Sequence, residues 1–358
     1  MNDVSIGMGK NLRRIRLIKN LSLKEAGKLL NMSATAVSKY EKGEILLNSR
    51  KIIEFANAYK VNAMEILKIY NMPKIHFTNF RKSARLKGQN LELLKEIIEN
   101  KIYNYIEIIN LNEINSKKQK LKNYQCDSLK QAENIAIEFR KFLGVSNKQP
   151  ISDLINTLEN LGIVIIQIDD DERFNGFDGL SEIINNIPII VISMNIEDGA
   201  RQRFTISHEL GHLILTINNK ENKEKLCNRF ASALLMPEEA MINEFGNSRS
   251  NINLFELKAF KSEYKVSYRA ILHRLKDLNI INEYLYKKLN TSLSKRLNKN
   301  DVELIEPEKT YNYKKTVYKL EADKVISLSK ACELLGYTIN EYNKQDYNYW
   351  YKYHNRPK

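Results

Sequence analysis

The chain has few of the residues that stabilise small secreted proteins. Only three cysteines occur in 358 residues, at Cys126, Cys227 and Cys332, and no two of them have the C-x-x-C spacing of a metal or redox motif. They are expected to be ordinary thiols in a reducing compartment. No apolar run is long enough to cross a membrane, and no secretion signal opens the chain. These absences predict a cytoplasmic protein with no membrane partner.

The chain carries a large excess of positive charge. There are 57 Lys and Arg residues against 43 Asp and Glu residues, which gives a formal net charge of +14. A large positive charge attracts polyanions, and nucleic acid is the first partner that it suggests. Residues 1–72 hold 13 Lys and Arg against 6 Asp and Glu, about half of the excess. Any nucleic-acid site is therefore expected in this segment.

Residues 1–72 carry the signals of five short helices. The first is predicted over about Lys10–Lys19, from the helical spacing of its apolar residues. Ser22 followed by Glu25 has the pattern of a capping box, and Ser33 is a second candidate N-cap.

Later segments predict a small sheet among further helices. The runs Ile163–Ile168 and Pro188–Ile192 are short and rich in β-branched residues, as strands are, and Gly176 and Gly179 are expected in turns. Helices are expected over Leu91–Asn110, Arg203–Ile217, Glu221–Leu235 and Leu328–Leu335.

The most specific motif is His208-Glu209-Leu210-Gly211-His212. On a helix, histidines four residues apart lie on the same face, so both imidazoles can bind one Zn²⁺. Glu209 is then placed to take a proton from a water on the zinc. Two ligands are too few for a firm site, so a third has to come from elsewhere. Glu224 on the following helix is the candidate, Glu221 is its rival, and spacing alone does not decide between them.

Two runs resemble the ImmA/IrrE family of metallopeptidases. They are Arg201–His212 and Cys227–Pro237, where the family shows Arg-Phe-Thr before HExxH and then Glu-x-x-Ala-Asn-x-Phe-Ala-x-x-Leu-Leu-Met-Pro. In the family that Glu is the third zinc ligand; the matching position is Glu224, and Cys227 replaces the usual Ala. The resemblance covers about residues 127–343. It implies Zn²⁺ as cofactor and cleavage of a specific regulatory protein, usually a DNA-binding repressor.

A zinc helix of this kind normally lies under a sheet edge, to which a substrate peptide could add a strand. The segment Ile189–Ser193 is the edge expected from the sequence.

Two neighbouring helices in the basic segment have the arrangement of a helix-turn-helix. The turn holds Asn31–Ser33, and the small residues Ala26 and Gly27 let the helices approach closely. The second helix would present small and polar side chains to the major groove, and basic residues after it suit phosphates. The candidates for contact with double-stranded DNA are Thr35, Ala36, Ser38, Lys39, Lys42, Arg50 and Lys51.

This segment resembles the Xre/Cro-type helix-turn-helix family along nearly its whole length. The resemblance rests on the runs Leu12–Arg16, Leu21–Ser22, Met32–Ser38 and Tyr40–Gly43. Leu23 departs from the pattern, because many members carry there a Gln that contacts the DNA backbone, so phosphate anchoring at that point is expected to be lost. The resemblance implies operator DNA as a partner.

The expected fold class is α+β and mostly helical. The expected domains are a five-helix helix-turn-helix bundle over residues 1–72, a helical connector over 73–126, a zincin-like peptidase domain with a small sheet over 127–290, and a Tyr/Lys-rich helical extension over 291–358. The connector could equally be a dimerisation helix, which leaves a homodimer open. The aromatic run Tyr347–Tyr353 could stack on single-stranded bases, although packing is the commoner use of such residues.

Three functional hypotheses follow. The first is a DNA-binding transcriptional regulator fused to a zinc endopeptidase that cleaves a repressor-like protein. The alternative is a transcription factor that does not cleave and uses the metallopeptidase fold for sensing or docking. A third is an antitoxin-like or phage-defence scaffold with a co-encoded partner.

Overall fold

The computed structural model describes residues 3–67, 86, 88–111, 121–296 and 304–344. These residues form two compact units. The first consists of residues 3–67, 86 and 88–104, and the second of residues 105–111, 121–296 and 304–344. The structure is mostly helical with two small sheets, which confirms the fold class predicted from the sequence. In the part of the chain that is described, no helix is long and apolar enough to cross a membrane.

Five short helices open the first unit, as predicted. They are α1 (Asp3–Ile18), α2 (Leu23–Leu29), α3 (Ala34–Glu41), α4 (Ser49–Tyr59) and α5 (Ala63–Leu67). The capping box of Ser22 and Glu25 is confirmed, and so is the N-cap of Ser33, whose hydroxyl accepts the Ala36 N–H. The first helix begins seven residues before the predicted start, because Ser5 and Met8 are buried and continue its inner face.

Small residues and one buried ion pair hold these helices together. Gly27 is required by the close approach of α2 and the turn, because a Cβ there would lie 2.6 Å from the Met32 carbonyl oxygen. The Arg16 guanidinium donates to both oxygens of the Glu41 carboxylate, at 2.5 and 3.0 Å, and ties α1 to the end of α3. Apolar side chains from all five helices fill the core around them.

Helix α6 (Gln89–Leu111) confirms the amphipathic helix that the connector pattern predicts. Leu94 and Ile98 are buried, and Glu92 pairs with Arg13 of α1. Residues 89–104 therefore pack within the first unit. The expected boundary at residues 72 and 73 lies outside the described residues.

The second unit contains a three-stranded sheet. Strands β2 (Val164–Ile168) and β4 (Ile187–Ser193) are parallel, and β3 (Gly179–Ile184) is antiparallel to β4, in the order β2-β4-β3. The two predicted strands are confirmed, and β3 is an addition to them. Gly179, expected in a turn, is the first residue of β3.

The predicted sheet edge was wrong. Ile189–Ser193 belongs to β4, which lies in the centre of the sheet and is paired on both sides. The physical reason is a two-residue hairpin turn at Asn185 and Asn186, both with positive φ, that folds β3 back on β4. The edge strand of this hairpin is β3.

The helices that follow build the core of the second unit. Before the sheet come α7 (Leu129–Phe142) and α8 (Leu154–Asn160), and after it α9 (Gly199–Ile214) and α10 (Lys223–Leu235). Helix α9 begins four residues before its predicted start, because Asp198 caps it. It ends at Ile214 because β5 (Leu215–Thr216) pairs in parallel with β1 (Tyr124–Gln125).

Residues 339–344, at the end of the described chain, are helical, and six further helices come before them. They are α11 (Glu238–Phe245), α12 (Leu254–Tyr264), α13 (Tyr268–Asp277), α14 (Glu283–Arg296), α15 (Asn312–Ala322) and α16 (Leu328–Leu335). The bounds of α16 agree with the prediction. The aromatic run Tyr347–Tyr353 lies outside the described residues.

Candidate metal centre and helix-turn-helix

The two histidines of the motif project from the same face of α9. The Nε2 atoms of His208 and His212 lie 3.0 Å apart, and their side chains are 2% and 3% exposed. Ring nitrogens held this close need a proton or a cation between them, because two lone pairs would repel. The buried pair is therefore arranged to share either a proton or a metal ion.

Helix α10 brings a carboxylate to this pair. Glu224 lies in the first turn of α10, and its oxygens are 3.5 Å from His208 Nε2 and 3.2 Å from His212 Nε2. The two helices approach closely because residue 211 is glycine. A Cβ on Gly211 would lie 3.3 Å from the Cα of Cys227, so a larger side chain would push α10 and its carboxylate away.

These three side chains fit a metal ion. One ligand atom from each of His208, His212 and Glu224 lies within 4.8 Å of the others. Two imidazole nitrogens and one carboxylate oxygen are the donor set of a His₂Glu zinc site. The Glu224 side chain is 52% exposed, so the group is open to solvent on that side. Glu221, the rival candidate, lies exposed in a 3-10 turn before α10 and is not part of the group.

The acid of the motif is buried beside this group. Glu209 is 1% exposed, and the Ser181 hydroxyl on β3 donates to its Oε2 at 2.8 Å. The start of β3 also faces Glu209, because a Cβ on Gly179 would lie 3.5 Å from the Glu209 Cγ. The edge strand of the sheet thus lies directly against the acid. Ser181 escaped the sequence analysis because β3 was not predicted.

The helix-turn-helix candidates lie along α3, just after it and at the start of α4. Thr35, Lys39, Lys42 and Arg50 are exposed, and Ala36, Ser38 and Lys51 are partly exposed. Lys51 also pairs with Glu54 at 2.8 Å. Val37, between the exposed positions, is fully buried in the core, which fixes the outward face of α3. All seven candidates are therefore at least partly open to solvent.

Comparison with family models finds a match for two segments of the chain. Residues 12–66 match the helix-turn-helix family of the Xre type, and residues 158–276 match the IrrE N-terminal-like domain of the M78 peptidases. The chain carries both domains, in that order. A comparison with curated proteins finds no match.

The peptidase domain contains one contact that sequence analysis did not predict, at the metal group itself. The Sγ of Cys227 lies 3.4 Å from His212 Nδ1, on the far side of the ring from Nε2. When Nε2 serves as a ligand, Nδ1 carries the proton and donates it to a neighbouring acceptor. Cys227 is therefore in position to hold the His212 ring in its orientation.

A segment outside the residues that match the peptidase family is hydrogen-bonded to α9, the helix that carries His208 and His212. The carboxamide of Gln202 forms two hydrogen bonds with the backbone of Glu308, at 2.7 and 3.0 Å. Gln167 of β2 donates to the same carbonyl oxygen at 2.8 Å. The Gly199 N–H donates to the Ile305 carbonyl oxygen at 2.7 Å, and a Cβ on Gly199 would lie 2.5 Å from the next carbonyl oxygen. We call residues 304–310 the strap.

A buried ion pair completes the contact of the strap with α9. Arg203 pairs with the Glu308 carboxylate, and both side chains are buried, 1% and 9% exposed. Arg203 also donates to the Ile151 carbonyl oxygen at 2.6 Å, and Glu308 accepts the Ile155 N–H of α8 at 2.9 Å. Arg203 precedes His208 by little more than one helical turn. The strap therefore fixes the half of α9 that leads into the metal group.

Proposed function

We propose that the second unit is a zinc-dependent endopeptidase that cleaves a specific regulatory protein, and that the first unit directs the chain to operator DNA. The observation that carries the proposal is the convergence of His208, His212 and Glu224 beside the buried acid Glu209. The match to the IrrE N-terminal-like peptidase domain supports the same reaction class.

The roles of the side chains follow from their positions. His208, His212 and Glu224 would hold the ion. Zinc bound there supplies a water of lowered pKa and polarises a carbonyl group. Glu209 accepts the proton of the attacking water and returns it to the departing amine nitrogen. The Ser181 hydroxyl donates to one oxygen of Glu209 and so helps to fix the orientation of its carboxylate.

We propose that the backbone of the substrate binds along the edge strand β3. In the part of the chain that the structure describes, β3 pairs with β4 on one side only. An extended peptide can add to such an edge through main-chain hydrogen bonds. Because Ser181 of β3 contacts Glu209, a peptide on this strand would lie beside the acid.

The presence of a DNA-binding domain and a peptidase domain in one chain favours a substrate that also binds DNA. The helix-turn-helix domain and the peptidase domain share one chain, so binding to an operator raises the effective concentration of the peptidase near other proteins bound there. A repressor bound to the same operator would meet the highest effective concentration of the peptidase. We therefore take a repressor as the substrate.

Metal content is the first test. The purified chain should hold one zinc ion, measured by elemental analysis, and Glu224→Gln should lose it. Glu221→Gln is the matched control, because it makes the same change in an exposed neighbour outside the group. Equal zinc in all three proteins would remove Glu224 from the site, and absence of zinc from the wild type would end the proposal.

Cleavage is the second test. New protein N-termini should be labelled and compared in cells that contain the wild type or Glu209→Gln, a variant expected to keep its zinc. One protein, a DNA-binding repressor, should be cut in the first and remain intact in the second. If the wild type cuts nothing yet binds DNA in a salt-dependent way, the chain is a transcription factor with a non-proteolytic metallopeptidase fold.

A further inference from the structure

Residues 327–344 repeat the helix-turn-helix of residues 22–39, position by position and without a gap. Both segments begin with Ser-Leu and continue through Ala to Leu-Leu, and a Ser or Thr opens the second helix. The corresponding pairs are Ser22 and Ser327, Leu23 and Leu328, Ala26 and Ala331, Leu29 and Leu334, Leu30 and Leu335, Ser33 and Thr338, and Val37 and Tyr342. The family model for the first motif does not extend to this part of the chain.

The backbone repeats as well as the sequence. The turn residue is left-handed in both motifs, Asn31 with φ 50° and Gly336 with φ 69°. The next N–H bonds back into the first helix at the same distance, 2.9 Å from Met32 to Gly27 and 2.9 Å from Tyr337 to Cys332. The N-caps of both helices in each motif make the same side-chain hydrogen bonds, at 3.1 to 3.2 Å.

The second motif also has its own core. Ala331 and Tyr342 are buried, as Ala26 and Val37 are in the first motif. They pack with Val317 and Leu320 of α15 and with Ile108 of α6. Helix α15 precedes the motif as α1 precedes the first one, and each is followed by a left-handed residue, Asn20 at φ 56° and Lys324 at φ 58°. The whole three-helix arrangement therefore occurs twice in the chain.

The outward face of the second motif is polar. The positions that match Thr35, Ser38 and Lys39 are Asn340, Asn343 and Lys344, and all three are exposed on the helix of residues 339–344. A carboxamide forms paired hydrogen bonds with an adenine edge, and a lysine binds phosphate.

The charges around this face favour a polyanion. Lys315, Lys319 and Lys324 are exposed on α15 and just after it, against the exposed acids Asp323 and Glu333. Glu341, the one acid among the described residues of this helix, is turned back to accept the Thr338 N–H and O–H at 2.8 Å. Hydrogen bonding to that backbone N–H holds the pKa of Glu341 below its usual value. Asn340, Asn343 and Lys344 thus offer hydrogen-bond donors and positive charge, with Ile339, 50% exposed, at the start of the same helix.

We propose that residues 327–344 form a second DNA-contacting helix-turn-helix, in which Asn340, Asn343 and Lys344 face double-stranded DNA. This goes beyond the proposed function, which uses the first motif alone. The consequence is that the full chain contacts two separate DNA segments, and its preferred site is longer than one helix-turn-helix covers.

Selection from a pool of random DNA duplexes with the full-length chain tests this. The wild type should select two conserved blocks. Asn340→Ala with Lys344→Ala should lose one block and bind the selected duplex about 10-fold more weakly, in line with the loss of one paired base contact. Thr35→Ala with Lys39→Ala should lose the other block. Lys309→Ala is the control, because this exposed lysine lies outside both motifs.

Each result has one meaning. The substitutions are on exposed positions, and unchanged helix content and melting temperature should show that the fold is intact. If the Asn340 and Lys344 variant selects the same two blocks with the same affinity as the wild type, the proposal is overturned. A change in self-association without a change in DNA binding overturns it too. If the wild type itself selects no duplex, the assignment of both motifs to DNA fails, whereas the zinc and cleavage tests are unaffected.

Discussion

Replacement of Glu308 by alanine should destabilise the second unit more than any other single change in the strap. The substitution leaves the Arg203 guanidinium 1% exposed with only the Ile151 carbonyl oxygen among its described acceptors. It also removes the acceptor of the Ile155 N–H at the start of α8. A buried charge that loses its partner is among the costliest changes a protein can undergo.

The magnitude can be bounded. Breaking a buried ion pair by removal of one partner costs about 3–5 kcal/mol. The Glu308 side chain is 9% exposed, so water can reach the vacated position and restore part of the solvation of Arg203. Because the backbone contacts of Gln202 and Gln167 with residue 308 survive the change, the strap should remain docked. We therefore expect about 3 kcal/mol, the low end of the range.

Urea unfolding followed by far-ultraviolet circular dichroism measures this cost. Glu306→Ala is the matched control, because Glu306 is an exposed glutamate two residues away, and its loss should change stability by less than about 0.5 kcal/mol. Removal of both charges in Arg203→Met with Glu308→Ala should cost less than the sum of the single changes. If Glu308→Ala is as mild as Glu306→Ala, the ion pair does not stabilise the unit and the reasoning is wrong.

Three further outcomes follow from single positions. Cys227→Ala should weaken zinc binding about 10-fold, because it removes the acceptor beside His212 Nδ1, whereas Cys227→Ser should not; a competitive chelator titration measures both. Burial raises the pKa of Glu96 to about 7, above its ordinary 4.5, so the stability of the first unit should fall as pH rises from about 4.5 to 7. The fall in the free energy of unfolding should reach up to about 3 kcal/mol, and Glu96→Gln should abolish it. Unfolding measured at pH 5 and at pH 8 tests this. Gly27→Ala should lower the melting temperature and weaken DNA binding, since its Cβ would lie 2.6 Å from the Met32 carbonyl oxygen.

The local elements of both units were predictable because their signals are short-range. The capping box of Ser22 and Glu25, the N-cap of Ser33 and the helix Leu328–Leu335 depend on residues within one turn of each other. His208 and His212 belong to the same class, since their shared face follows from helical spacing alone.

The errors arose where position depends on pairing between distant segments. The strand β4 was recognised as a strand, but its central place in the sheet follows from the Asn185 and Asn186 turn and from β2, which the pattern of β4 does not contain. The two asparagines were a usable signal for the hairpin, because both residues of such a turn need positive φ. Ser181 would have been found once that hairpin was recognised.

The strap had no comparable signal. Glu308 is one of 43 acidic residues, and nothing in its neighbourhood in the chain marks it as the partner of Arg203, which lies more than one hundred residues earlier. Such long-range pairs form because a charge that is buried away from water needs an opposite charge beside it. Which charges are buried depends on the whole fold, so the local sequence does not reveal the pair. The second helix-turn-helix is the opposite case, since its pattern is local and a comparison of the chain with itself would have found it.

The constraints on α9 bear on what a bound metal contributes. Its beginning is held by the strap, and its last turn lies against α10 at Gly211 and leads into the pairing of β5 with β1. Each of these contacts is made by protein atoms alone, and together they place both histidine rings in a buried setting. Ligands positioned by the fold lose little freedom when an ion binds, so we expect the unit to fold without the binding free energy of the ion. In zinc fingers the ion does supply the folding energy. Here it would serve the chemistry, and the fold would survive its removal.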